Sequence, residues 1–324
     1  MNKKEIKFSN RVNEEEIYLS LTKSYQRSIT DFFEFERSWL YRAYDIFKDF
    51  DKYIILVHFF KETFKSYSDI FIKKTFNEFY DQNSFEIVKL NIIDVSRELM
   101  ISKETTRRKI LELEKDNIIK KNKKAITFNR KALNLQKPDD SVYALSRFLS
   151  NFSKILHKNR FIKNVISTKE FEAIIKNNFT LCWLFFLEFQ IPYVLKRKNV
   201  FFNDLETFFI VAILVYNQNL NLNKFTIQHN KNYYKSNYFK LLLTLGEKKG
   251  LNAMSISDLT GIPRPTVLRK INNLLKNSII QKDNFNMYAT TNKYDILRNL
   301  ESLRIENIKN LSTMISKFYN LVKN

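Results

Sequence analysis

Long apolar or periodic stretches alternate with short polar stretches along the chain, a pattern typical of a mainly helical protein. Apolar runs at residues 51–64 and 204–216 are each long enough for a buried helix. Periodic helices are predicted at about residues 140–157 and 294–321. We therefore expect a mainly α fold.

Two polar stretches are typical of loops: the Asn-rich residues 217–232, and residues 136–140, which include Pro138. At roughly 150 residues per domain, a chain of 324 residues suggests two units. We place the boundary near Pro138, which predicts one unit at residues 1–138 and another at residues 139–324.

One stretch of sequence occurs twice, 161 positions apart. Residues 90–121 align with residues 251–282 without a gap, and 13 of 32 positions are identical. The flanking sequence follows the same order more loosely, because a Trp-Leu pair, Trp39-Leu40 and Trp183-Leu184, precedes an apolar run in each half. The alignment predicts an internal pseudo-repeat of one module.

Each copy is predicted to form two helices, a tight turn and a hairpin. In the first copy a short helix covers residues 95–100, and Ser102 caps a second helix, Lys103–Lys115. In the second copy Pro263 and Pro265 stand at the start of the equivalent helix, where proline is favourable. The inward stripes are predicted to be Thr106, Ile110 and Leu113, and Val267, Ile271 and Leu274. Hairpins are predicted at about residues 118–128 and 279–290.

The sequence TGIPRPTVLRKI at residues 260–271 resembles the helix-turn-helix of bacterial winged-helix regulators of the IclR and MarR kind. ISKETTRRKI at residues 101–110 matches the same pattern. The resemblance covers about 40 residues in each half and implies winged helix-turn-helix modules at about residues 51–131 and 204–292, within a helical scaffold. It also implies that the second helix enters the major groove of DNA and that the hairpin contacts the backbone. Met100 stands where the family usually has glycine, so we expect a wider turn in the first copy.

Charge agrees with a nucleic-acid partner. The chain has 55 Lys+Arg against 34 Asp+Glu, a net charge of +21. The excess favours a polyanionic partner, although an AT-rich genome also supplies lysine. Residues 90–131 have 12 basic against 6 acidic side chains, and residues 251–292 have 5 against 2.

Candidate DNA contacts follow from side-chain chemistry. Arg108 and Arg269 point outward, and a guanidinium matches guanine O6 and N7. The alternative for each arginine is a solvated surface charge or an ion pair with a local carboxylate, which for Arg108 is Glu104 or Glu112. Since the counterpart of Arg107 is Leu268, the two copies are predicted to read different bases. The full candidate set is Ser102, Lys103, Thr105, Arg107, Arg108, Lys120, Lys121, Lys123, Lys124, Arg264, Thr266, Arg269, Lys270 and Lys282.

Composition argues against an enzyme, a cofactor or a metal site. Three glycines are too few for phosphate-binding loops, and one cysteine, Cys182, excludes a disulfide framework. The three histidines, His58, His157 and His229, are scattered. Cys182 lies in an apolar run, where a buried thiol is expected rather than a nucleophile. The apolar stretches 179–194 and 205–216 are shorter than the roughly 18–20 residues of a membrane span, and no secretory signal is visible, so we expect a cytoplasmic, nucleoid-associated protein without a membrane partner.

The leading hypothesis is a transcriptional regulator whose two modules bind double-stranded DNA as a covalent pseudo-dimer. Alternatives are a plasmid-type replication initiator with tandem winged helices, and a winged-helix scaffold for protein interactions. The sequence leaves open whether a small effector binds. A C-terminal apolar stripe either closes a homodimer or packs on its own chain; it consists of Ile296, Leu300, Leu303, Leu311, Met314, Phe318 and Leu321.

Overall fold

The computed structural model describes residues 12–82, 84–88, 90–121, 126–129, 138–228, 238, 241–242, 250–291 and 295–322, without the side chains of residues 227–228 and 295–301. The helices are α1 Glu14–Lys23, α2 Tyr25–Phe47, α3 Phe50–Asp69, α4 Phe76–Tyr80, α5 Ile92–Glu98, α6 Lys103–Lys115, α7 Asp139–Lys158, α8 Thr168–Asn177, α9 Phe179–Val200, α10 Leu205–Gln228, α11 Ala253–Thr260, α12 Arg264–Lys276 and α13 Asp295–Tyr319. The strands are β1 Ser84–Ile87, β2 Ile119–Lys121, β3 Ile126–Asn129, β4 Ile280–Lys282 and β5 Tyr288–Thr290. The prediction of a mainly α fold is confirmed.

Local sequence explains where several helices begin. Asn13 and Ser167 each form a capping box with the glutamate three residues later, at the starts of α1 and α8. The Asp49 carboxylate accepts hydrogen bonds from two backbone N–H groups at the start of α3. These caps fix helices that then bury one face in the core.

Helices from both sides of Pro138 pack into a shared core. α1 packs against α13 and α7 packs against α8, while α3 contacts α9 and α2 contacts α10. α2 also packs on α7, and α9 packs on α13. The predicted boundary residue Pro138 is the N-cap of α7, and the division into two units stays a prediction.

Two cavities in this core, of about 120 and 110 Å³, are both lined by residues of α2 and α9. Phe35 of α2 lines the first cavity, and Phe189 of α9, 154 positions later, lines the second. Likewise, Trp183 of α9 lines the first cavity, and Ile29 of α2, 154 positions earlier, lines the second.

Trp39 of α2 and Trp183 of α9 both line the first cavity, and the correspondence of the two Trp-Leu pairs stays a prediction. Tyr193 of α9, 154 positions after Trp39, lines the second cavity. Large apolar side chains replace one another readily in a core when the total volume is kept. The position of a tryptophan therefore does not fix the register between these helices.

The loop predicted at residues 217–232 is wrong over its described part, because α10 continues through Gln228. Residues 229–232 lie outside the described residues. Buried amide side chains explain the helix, since hydrogen bonds within the protein satisfy their polar groups. Gln218 Oε1 accepts a hydrogen bond from the backbone N–H of Thr290, and Asn219 Nδ2 donates one to Thr30 Oγ1.

The apolar stretch at residues 179–194 also extends further than predicted, since α9 runs to Val200 through Pro192. Among the described helices α9 alone is long and apolar enough to cross a membrane, and most of it is buried against other helices. Such burial is compatible with the core helix of a soluble protein. The prediction that the Cys182 thiol is buried is confirmed, and burial raises its pKa to about 12.

The C-terminal apolar stripe packs on its own chain in its described part. Leu311, Met314 and Phe318 of α13 are buried, and α13 lies against α1 and α9. The side chains of Ile296 and Leu300 lie outside the described residues. Among the described members of the stripe, only Leu303 and Leu321 are partly exposed and could contact a second copy of the chain.

Candidate nucleic-acid interface

Two segments of the chain have the same order of helices and strands. In the first segment (residues 84–129), α5 and α6 are followed by the hairpin β2–β3, and β1 pairs with β3 to give the sheet order β1-β3-β2. In the second segment (residues 250–291), α11 and α12 are followed by the hairpin β4–β5. There a single bridge between Leu251 and Tyr288 stands in place of a third strand. Both predicted hairpins are confirmed.

The turn between the two helices contains the same hydrogen bond in both segments. Ser96 Oγ donates to the Ile101 carbonyl and Ser257 Oγ donates to the Ile262 carbonyl, each at 2.7 Å. Asn91 and Asn252 cap the helix that precedes the turn. The sequence predicted that α5 begins at residue 95. It begins at Ile92 instead, because the Asn91 side chain caps the helix there.

The turn of the first segment is not wider, contrary to the expectation from Met100. Met100 has φ 51° and Gly261, at the equivalent position, has φ 71°. Both residues adopt the left-handed conformation, which glycine adopts at no steric cost and methionine only with strain. The backbone geometry is therefore kept in the first segment at an energetic cost.

The inward stripes of the second helices are confirmed. Buried side chains recur at the same three positions of each helix, at i, i+4 and i+7. They are Thr106, Ile110 and Leu113 in α6, and Val267, Ile271 and Leu274 in α12. The opposite face of each helix is consequently presented to solvent.

The outward face of α6 combines basic, acidic and apolar side chains. Arg107 and Arg108 are exposed there, Arg108 by 63% of its side chain. Glu104 and Leu111 share this face with them. Ser102 is the N-cap of α6, as predicted, because its Oγ accepts a hydrogen bond from the Thr105 N–H. Lys103, the first residue of the helix, is exposed.

Glu112 lies beside Arg108 but is held mainly by lysines. Its carboxylate is 3.0 Å from Lys109 Nζ and 3.3 Å from Lys52 Nζ, against 3.8 Å from Arg108 Nε. Burial raises the pKa of Glu112, but the hydrogen bonds from Lys109 and Lys52 outweigh it and leave the pKa below the usual value. The predicted alternative of an ion pair for Arg108 is present only as a long contact.

The outward face of α12 is more uniform, because this helix contains no carboxylate. Arg264 and Arg269 are exposed, Thr266 is half-buried, and Arg269 makes no ion pair within the described part of the chain. Asn272 and Asn273 are exposed on the next turn and were not predicted as contacts. Their spacing of three and four residues after Arg269 was the available signal, since residues so spaced share a helix face.

Lys270 does not belong to this outward face, contrary to its prediction as a DNA contact. Its side chain is only 11% exposed, and its Nζ forms ion pairs with Asp204 and, at 2.9 Å, with Glu206. Lys109 takes the same place in the first segment, where its Nζ lies 2.7 Å from Asp49. Asp49 and Asp204 immediately precede α3 and α10, so both lysines anchor the second helix of a segment to the scaffold.

Both hairpins present lysine on their described strands. Lys120 and Lys121 are exposed on β2, and Lys282 is exposed on β4. The predicted contacts Lys123 and Lys124 lie outside the described residues. In the tip of the second hairpin the Asp283 carboxylate accepts hydrogen bonds from two backbone N–H groups, and Phe285 is 83% exposed.

The structure also brings together a group that the sequence interpretation missed. His58 lies beside Glu62 and Glu98, in an arrangement that could hold a metal ion. The spacing of four residues between His58 and Glu62 was a signal, but Glu98 joins them only through the fold.

Compared with protein-family models, with curated proteins and with solved structures, the chain matches none of them.

Proposed function

We propose that each segment is a winged helix-turn-helix module and that the protein is a sequence-specific regulator that binds double-stranded DNA through both. The observation that carries the proposal is the exposed arginine, Arg108 or Arg269, at the same outward position of the second helix of each segment. In the winged-helix arrangement this face lies against base edges in the major groove. Guanidinium groups there suit guanine, and the exposed Asn272 suits adenine.

The packing of the scaffold supports an internal pseudo-two-fold that relates the modules. If α2 is equivalent to α9 and α3 to α10, the α3–α9 contact has its counterpart in the α2–α10 contact. Such reciprocal contacts are the mark of a two-fold interface. Trp39 and Tyr193, which are equivalent by position, stack edge-to-face on each other at 6.2 Å, as residues next to the axis do.

We infer that the chain acts as a covalent pseudo-dimer on two half-sites that differ in sequence. Arg107 corresponds to Leu268 and Leu111 to Asn272, so the two outward faces have different hydrogen-bonding groups. The half-sites of two-fold dimers lie about one helical turn of DNA, roughly 34–36 Å, apart. We expect this spacing, without a sequence palindrome.

Selection of bound duplexes from a random pool, followed by gel shifts, tests the proposal. The full chain is expected to enrich a bipartite site and to bind it at least about a thousandfold more tightly than a shuffled duplex. The double variant Arg108→Ala/Arg269→Ala should lose this preference. A matched control, Lys158→Ala/Arg160→Ala, removes the same charge from exposed positions at the end of α7 and should keep it.

A second candidate function, a protein-interaction module, is favoured by the apolar side chains that both segments expose. Ile93 on α5 and Leu111 on α6 are both exposed. If no duplex binds even at low salt, the DNA proposal fails and this candidate takes its place. Enrichment of directly repeated sites would instead favour the replication-initiator alternative, because such an initiator binds an array of repeats.

A further inference from the structure

A histidine and two glutamates meet where scaffold helix α3 contacts the first segment. His58 and Glu62 lie one turn apart on α3, and Glu98 is the last residue of α5. One ligand atom from each of the three side chains lies within 4.8 Å of the other two. The cluster therefore joins a scaffold helix to the first helix of the first segment.

The His58 imidazole has no hydrogen-bond partner among the described residues. Its side chain is 2% exposed, Nδ1 is unpartnered, and Nε2 lies 3.7 Å from Glu98 Oε2, beyond hydrogen-bond distance. Burial, assisted by Lys61, lowers the pKa of His58. A buried polar ring without a partner is unusual, because desolvation is then uncompensated.

Two of the three side chains, His58 and Glu98, line a cavity of about 400 Å³ between α3, α5 and α9. The cavity is large enough to hold several water molecules. Lys61 competes for the carboxylates, since its Nζ is 2.7 Å from Glu62 and 3.9 Å from Glu98. Its long side chain also lines the cavity and has room there to swing away.

The equivalent place in the other half lacks all three groups. α10 begins 155 positions after α3, and at this offset His58 corresponds to Ile213 and Glu62 to Asn217. At the offset of 161 between the two segments, Glu98 corresponds to Leu259. The scaffold therefore does not need this cluster for packing. Three ligating side chains replace their non-ligating counterparts together, which favours a shared role.

We propose that His58, Glu62 and Glu98 bind a divalent first-row transition-metal ion such as Zn²⁺ or Mn²⁺. One imidazole nitrogen and two carboxylate oxygens are suitable ligands for these ions, and water from the cavity fills the remaining positions. Binding displaces Lys61 from the carboxylates. The metal ion links α3 to α5, and on the proposed function, on which this step rests, it fixes the first DNA-reading segment on the scaffold.

Isothermal titration calorimetry of the full chain with ZnCl₂ and MnCl₂, without DNA, tests the site. We expect one ion per chain. Glu98→Gln, at a side chain that is 54% exposed, should weaken binding by at least about tenfold, whereas Lys61→Gln should tighten it by removing the competing cation. The matched control Glu104→Gln, at an exposed carboxylate of α6, should bind like the parent chain.

Absence of a one-to-one isotherm, or equal affinities for Glu98→Gln and Glu104→Gln, would overturn the site. Circular dichroism of each variant separates loss of ligand from loss of fold. Gel shifts with and without the metal ion then test its effect on DNA. A bound ion with no DNA binding overturns the proposed function and leaves the metal site intact.

Discussion

The outward faces of α6 and α12 differ far more than their inward faces. Both helices bury residues at the same three positions, and both expose arginine at the same fourth position. Around that arginine, however, α6 has Glu104 and Leu111, whereas α12 has Pro265 and Asn272. Packing against the scaffold thus constrains the buried positions of the two helices, while the exposed positions are free to diverge. This is the pattern expected of two modules that keep one fold and recognise different surfaces.

Lys109 and Lys270 show the opposite behaviour. They are identical in the two segments, and each pairs with the aspartate that precedes a scaffold helix. At this position the repeated lysine therefore attaches the second helix to the scaffold, and the proposed contact with DNA is left to the exposed arginine beside it. Four predictions test this comparison of the two segments.

The largest effect is expected for the anchors. Lys270→Ala leaves Asp204 and Glu206 without their cation, and we expect the free energy of unfolding to fall by about 3 kcal/mol. Lys109→Ala should cost about 1 kcal/mol, because Lys52 still neutralises Glu112. Urea denaturation followed by circular dichroism measures both. If Lys270→Ala keeps its stability but reduces the salt dependence of DNA binding, the lysine is a DNA contact after all.

The next effect concerns the arginines. Arg269→Ala should cost about 2 kcal/mol of binding free energy on the selected site and much less on unrelated DNA, because alanine cannot form the bidentate hydrogen bonds to guanine. Arg108→Ala should cost under about 1 kcal/mol, since Glu112 and Leu111 lie on its flank. Gel-shift titrations measure both effects, with Arg160→Ala as the charge-matched control. Equal effects would show that both segments read bases equally well.

A smaller effect is expected at the two turns. Gly261→Ala places a side chain at φ 71°, and we expect a loss of about 1 kcal/mol in unfolding free energy. The added Cβ itself has room, since Tyr41 and Tyr44 lie 3.7 and 3.8 Å away. Met100→Gly relieves the same strain at φ 51°, so the chain should gain up to about 1 kcal/mol. Changes of the same sign would contradict a shared turn geometry.

The sequence predicted the parts of this fold that depend on local chemistry. The second helices, their inward stripes and the two hairpins follow from spacing within about 40 residues, and the structure has them where expected. Features that depend on distant partners were missed. The amide side chains in residues 217–232 favour a loop by sequence alone, because their hydrogen-bond partners Thr30 and Thr290 lie far away along the chain. The outward position predicted for Lys270 was wrong for the same reason, since Asp204 is brought beside it only by the fold.

The hairpins give the smallest effect and separate two kinds of interaction with DNA. Lys120→Ala/Lys121→Ala should flatten the dependence of log K on log salt by about 0.9 for each phosphate that the variant no longer neutralises, since each neutralised phosphate releases counterions. In the second hairpin Phe285 is exposed at the tip, and Lys282 is exposed at the end of β4, next to the tip. Phe285→Ala should weaken binding without a change in this slope, because an apolar side chain against the minor groove displaces no counterion. Titrations at several salt concentrations measure both slopes. A flattened slope for Phe285→Ala would mean that the aromatic ring only positions the nearby lysine, and an unchanged slope for the lysine pair would mean that the first hairpin does not reach DNA.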